Sequence, residues 1–125
     1  MTLVWVGIGG CLGSVLRYLL SEYVQGRAGG PFPLGTLAVN ILGCFAIGGL
    51  TGLFEGTMLP PPEARAFLVA GILGGFTTFS AFGNETLLLA REAGRGPALA
   101  NVAAQVLLGL GAVWLGRTLV QAIWK

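Results

Sequence analysis

The chain is 125 residues long, 54% hydrophobic and only 10% charged, with a formal charge of +2 and a mean hydropathy of +0.82, far from an ordinary soluble domain. It has no His and no Asp, its five acids are all Glu, and its Arg and Lys residues are scattered without a basic run. That composition excludes an acid–base catalytic constellation and a nucleic-acid footprint, and it leaves an all-α integral membrane protein that acts within the bilayer.

A helix needs about 20 mostly apolar residues to cross a bilayer. Four runs qualify: Leu3–Leu20, Leu34–Phe54, Ala66–Leu89 and Ala98–Ala122. The connectors Ser21–Pro33, Glu55–Arg65 and Ala90–Pro97 carry helix-stopping Gly and Pro and leave no room for a second domain, so residues 1–125 read as one multi-pass domain. The first span pairs Gly9 with Gly13, small residues on one face that let another helix approach closely. Its GIGGCLG run fails the G-x-G-x-x-G spacing of a dinucleotide loop and follows no strand. Met1-Thr2-Leu3 lacks the positive region of a secretory signal, so this span is expected to stay in the mature protein. Arg17, near the end of the run, reads either as a guanidinium snorkelling to the interface or as part of an anion vestibule. Cys11 and Cys44 fall inside apolar runs and read as small buried hydrophobes, not as a disulfide or metal site.

The second span opens with Thr36 and Asn40, one turn apart on one face. A carboxamide there is costly unless it bonds another helix or a hydrated ligand, and its NH2 can donate to an anion; position alone leaves both readings open. Gly48 and Gly52 repeat the small-residue spacing, and Pro60-Pro61-Pro62 makes a stiff connector before Glu63.

The third span holds the decisive stretch, Gly71–Phe82, GILGGFTTFSAF. Gly74, Gly75, Thr77, Thr78 and Ser80 invite a break in the helix, and broken backbone at membrane depth is tolerated only in protein or beside a hydrated cavity. Phe79 and Phe82, three residues apart, share a helix face; core packing is the bland reading. Their hydroxyl neighbours favour a lining in which positive ring edges face an anion without holding it tightly. Glu85 is a functional candidate if embedded and a solvated helix-end group if near water. In the fourth span Asn101 and Gln105, with Gly109 a turn further, form a second polar strip, either interhelical glue or the wall of a narrow hydrated path. Arg117, Trp124 and Lys125 read as interface anchors.

With four spans both termini share a side. Arg65, Arg117 and Lys125 then lie on that side, and Arg17, Arg27, Arg91 and Arg95 on the other, three against four. So small a bias does not fix orientation, and two oppositely inserted copies can pair as an antiparallel dimer.

The segments GGCLGSVLRY (Gly9–Tyr18), GTLAVNILGCFAIG (Gly35–Gly48) and GGFTTFSAF (Gly74–Phe82) occur in this order and resemble the Fluc fluoride channels, also called the CrcB family. The resemblance implies a dual-topology antiparallel homodimer in the bacterial plasma (inner) membrane, passing cytoplasmic fluoride outward by passive electrodiffusion and so conferring fluoride resistance. It further implies that Asn40 donates to fluoride, that Phe79 and Phe82 form ring edges along the path, and that Thr36 and Ser80 flank it. Arg17 corresponds to a vestibule arginine and Glu85 to a recurrent acid. A structural sodium ion would be held by backbone oxygens of Gly74 and Thr77 from each subunit. Asn101, Gln105 and Gly109 stand where relatives carry a tyrosine and serine track, and Ala81 replaces a frequent hydroxyl. The alternative is a dual-topology, proton-coupled exporter of the small multidrug-resistance type. It requires an embedded carboxylate in the first span, and none lies between Leu3 and Leu20. A non-transporting assembly subunit would leave the hydroxyl-rich third span without a purpose.

Overall fold

The computed structural model describes residues 1–56 and 59–124; Lys125, read above as an anchor, lies outside them. The described residues form an all-helical, multi-pass membrane protein. Four helical segments are long and apolar enough to cross a membrane: Thr2–Ala28, Leu34–Glu55, Pro62–Glu92 and Arg95–Ile123.

α1 (Thr2–Ala28) runs well past the apolar run that ends at Leu20. Ser21–Ala28 holds a single glycine, Gly26, which a helix tolerates, and the chain turns only at Gly29 and Gly30, whose φ values of 64° and 76° are a conformation that costs glycine little. The 27 residues of α1 span about 40 Å at 1.5 Å per residue, so its last turns rise above a hydrocarbon core of about 30 Å. Gln25, on those turns, clamps the loop. Its Nε2 donates to Gly30 O and Phe32 O, both at 3.2 Å, and its Oε1 accepts the Gly35 N–H at 3.1 Å.

α2 (Leu34–Gly56) follows, and α3 (Pro62–Arg65) begins the third span with Pro62 at its first position, where a missing N–H costs nothing. Ala66–Leu73 continues in wider π turns, and α4 (Gly74–Phe76) closes the first half of the span. Thr77 (φ −85°, ψ 156°) and Thr78 (φ −151°, ψ 117°) are extended, and α5 (Phe79–Glu92) starts after them. α6 (Arg95–Ile123) follows Gly94 at φ 97°. Pro97 sits in its first turn, so this helix starts before the apolar run.

Lipid gives no hydrophobic drive for helices to associate, so close packing through small residues does that work. α1 lies on the third span through glycines: a Cβ at Gly9 would sit 2.5 Å from Phe67 O and 2.9 Å from Gly71 Cα. Gly13 abuts Ile72 O and Phe76 N, and Gly75 abuts Gly10. Trp5 meets Phe67 edge-on, with ring centroids 6.1 Å apart. α2 lies on α6 in the same manner, Gly48 against Val113 O and Gly116 against Phe45 O. At the far end of that pair Arg117 Nη2 donates to both oxygens of Glu55, at 2.9 and 2.7 Å, so Arg117, read above as an interface anchor, has an ion-pair partner on α2. Cys11 is exposed on α1, contrary to its reading as a buried residue, and Cys44 is half-buried beside Gly109.

Candidate functional site

Thr77 N–H still closes a turn on Leu73 O, but Thr78 has its N–H and its carbonyl outside any helical ladder, and the carboxamide of Asn40 on α2 takes them up. Thr78 N–H donates to Asn40 Oδ1 at 2.8 Å, and Asn40 Nδ2 donates to Thr78 O at 3.0 Å. The amide thus pairs with one residue's backbone as a neighbouring strand would. The second Nδ2 proton goes to Gln105 Oε1 on α6, at 3.0 Å. Both N–H groups of Asn40 are therefore engaged within the chain. Thr78 also caps α5: its Oγ1 accepts the Ala81 N–H at 3.2 Å and lies 3.3 Å from Ser80 Oγ. A threonine is a favourable residue at that position.

A cavity of about 460 Å³ lies at this junction, bounded by Asn40, Cys44, Gly74, Thr77, Thr78, Phe79, Phe82 and Gln105 among others, with no Arg or Lys in its lining. The Phe79 and Phe82 rings meet edge-on, centroids 5.3 Å apart at 67°. Their shared face splits at its margin: Phe82 is 9% exposed, whereas Phe79 is 82% exposed.

A second cavity, of about 240 Å³, is bounded by Ser14, Arg17, Thr36, Thr78 and Glu85 among others. Buried Thr36 donates from Oγ1 to Glu85 Oε1 at 2.8 Å, which commits its single proton. Glu85 Oε2 is buried and has no partner among the described residues. Thr78 belongs to the walls of both cavities, so the Asn40–Thr78 pair stands between them.

The strip on α6 divides. Gln105 lines the larger cavity, whereas Asn101 is fully buried and lines neither cavity. Asn101 Nδ2 donates to Thr86 Oγ1 at 2.8 Å, and Thr86 Oγ1 donates to Phe82 O at 2.7 Å. Thr86 was not singled out in the sequence. Its position four residues after Phe82, on the face already marked by the two rings, was the available signal. Cys44, one turn beyond Asn40 on the same face, was equally accessible.

Gly74 and Thr77 present a different chemistry. The N–H that would close the next turn on Gly74 O belongs to Thr78 and goes to Asn40 Oδ1, and the one that would close on Thr77 O belongs to Ala81 and goes to Thr78 Oγ1. Carbonyls released in this way suit a hard monovalent cation. Among the described residues no group of three or more His, Cys, Asp or Glu is arranged to hold a metal. The junction as a whole offers amide and hydroxyl donors and ring edges, with no fixed cation and no acid–base pair to perform covalent chemistry.

The family profile described as CrcB-like protein, Camphor Resistance (CrcB), matches residues 4–117. A protein of Solibacter usitatus named Fluoride-specific ion channel FluC is 46% identical over 121 residues, covering 97% of this chain and 99% of its own. Proteins of the same name from Rhizobium meliloti, 46% identical with 94% of each chain covered, and from Opitutus terrae, 47% identical over 90% of this chain and 87% of its own, are similarly close. With a profile match over nearly the whole length and relatives of this similarity from end to end, the chain belongs to the CrcB family.

Proposed function

We propose that this protein is a fluoride-selective channel that lets cytoplasmic fluoride leave by passive electrodiffusion across a bacterial inner membrane, giving resistance to fluoride; it is not an enzyme. One observation carries the reading: two carboxamides, Asn40 and Gln105, and two edge-on rings, Phe79 and Phe82, line one cavity at the broken third span, with no fixed cation among them. The identity of the ion comes from the names of the relatives.

The physical logic is that of a small, strongly hydrated anion. A pore must replace its water with many donors, and a narrow wall excludes a larger halide. A buried Lys or Arg would hold the ion, whereas conduction needs sites it can leave; amides, hydroxyls and ring edges meet that condition. Arg17, which lines the smaller cavity with Thr36 and Glu85, would draw anions into it; Thr78 would supply a hydroxyl to both cavities, and exposed Ser80, 3.3 Å from that hydroxyl, would flank the path.

The working unit on this reading is an antiparallel, dual-topology homodimer. Phe79 is 82% exposed on the single chain, beside a largely apolar cavity in which the Asn40 and Gln105 amides are set, polar groups that lipid would not cover favourably, and the near-balanced basic residues allow insertion both ways. A second chain would supply the missing wall. The carbonyls of Gly74 and Thr77 fit a structural sodium ion by donor type, two from each chain, and when bound the ion would tie the two broken spans together by oxygen coordination.

The test is efflux from liposomes holding the purified protein. Passive, voltage-driven fluoride flux exceeding chloride flux, reduced by Asn40→Ala and by Phe79→Ile, supports a channel. Flux that requires a proton gradient overturns it. C-terminal reporters for each side of the membrane test the topology, and a signal from one side only removes the antiparallel dimer.

A further inference from the structure

Which amide proton meets the ion follows from the direction of the hydrogen-bond chain, and this inference rests on the channel reading above. Amide oxygens and nitrogens are assigned from their bonding network, and here the backbone fixes the network from one end. Thr78 N–H can only donate and Thr78 O can only accept, so Asn40 must present Oδ1 to the first and Nδ2 to the second. The other Nδ2 proton then points at Gln105, which must answer with its oxygen. No freedom is left: the Gln105 NH2 is the group turned away from Asn40. That nitrogen is buried and has no partner among the described residues, and Gln105 lines the same cavity as Phe79 and Phe82. An unanswered buried donor is costly, and accepting the Asn40 proton polarises the Gln105 amide and strengthens its N–H groups as donors.

We propose that Gln105 Nε2 is the donor that an anion meets in the larger cavity, and that Asn40 is a positioning residue that holds Gln105 in this orientation while anchoring the Thr78 backbone. The site takes a small monovalent anion between the Gln105 NH2 and the ring edges. The chain from Thr78 through Asn40 to Gln105 orients the donor before the ion arrives, so binding needs no bond within the chain to break.

The test uses full-length protein in nanodiscs, made with nitrogen-15 glutamine. The chain has three glutamines, Gln25, Gln105 and Gln121, so the Gln105 side-chain signal is identified by its disappearance in Gln105→Met. On titration with sodium fluoride the Gln105 NH2 signal shifts and saturates, while those of Gln25 and Gln121 stay fixed and sodium chloride has no effect. In liposomes Gln105→Met, and Gln105→Glu, which keeps an oxygen for Asn40 but has no NH2, lose fluoride flux by about 10- to 100-fold, the range for one hydrogen bond to a charged group. A Gln105 signal that fluoride leaves unmoved overturns the proposal, as does either variant, eluting from size exclusion like the unaltered protein, with unchanged flux. Absence of fluoride flux from the unaltered protein would instead remove the channel reading, so the two failures are distinct.

Discussion

The Asn101–Thr86 bond gives a sharp prediction because its two ends are unequal. Asn101 is fully buried on α6, its Nδ2 donates to Thr86 Oγ1 at 2.8 Å, and its Oδ1 already lacks a partner among the described residues. Thr86→Val keeps the shape of the side chain but removes the acceptor that amide has among the described residues. The bond itself is worth about 0.6 kcal/mol, up to about 1.7, between membrane helices, and a stranded buried donor costs about 1–3 kcal/mol. Thr86→Val should therefore destabilise the fold by about 1–2 kcal/mol. Asn101→Leu removes donor and acceptor together and should cost less. In the double variant Thr86→Val with Asn101→Leu no stranded amide remains, so it should be more stable than Thr86→Val alone by about 1 kcal/mol. The measurement is unfolding in mixed micelles by added sodium dodecyl sulfate, followed by tryptophan fluorescence. Purely additive losses in the double variant would refute the argument, because then the amide was not depending on Thr86.

Three other outcomes follow from the packing. Gly13→Ala drives a Cβ into Ile72 O and Phe76 N, backbone atoms that cannot step aside. It should cost about 3 kcal/mol or prevent folding, whereas Gly7→Ala, with open space around it, should change stability by under about 0.5 kcal/mol; size-exclusion recovery and unfolding midpoints separate them. Glu55→Gln breaks an ion pair whose side chains are 50% and 49% exposed, so the loss should be under about 1 kcal/mol and should shrink in high salt. Gln25→Ala removes the three side-chain bonds that brace the Gly29–Pro33 turn and should speed amide exchange of Gly35 about 10-fold without changing fluoride flux.

Much of the fold could be read in the residues because lipid imposes simple demands. Long apolar runs gave the four helices, and the spacing of Gly9 with Gly13 and of Gly48 with Gly52 marked the faces that pack. Helix ends were harder. Ser21–Ala28 is polar enough to look like a connector, yet a helix ends at a stop signal and not at the membrane surface, so α1 runs on to Gly29. The site was legible as a set of residue types and not as a set of partners. Asn40 meets Gln105 only because α2 and α6 pack in one register, and nothing local encodes an approach across 65 positions. The same holds for Asn101: its spacing from Gln105 put the two amides on one strip, but the α5 face opposite decides that one lines a cavity and the other is sealed against Thr86.

The wide turns of Ala66–Leu73 act on everything that follows them. One residue rotates an α-helix by about 100°, so an extra residue accommodated in π turns resets the phase of the downstream chain. Within the segment, Phe67 and Gly71 face α1; downstream, Gly75 still faces α1 while Thr78 reaches Asn40 on α2. Deleting a single residue between Ala66 and Leu73 would tighten the winding and swing the phenylalanines and threonines together to another side of the bundle. That short, slack segment thus serves as the angular setting of the ion path, although it contributes no atom to the Asn40–Gln105 chain.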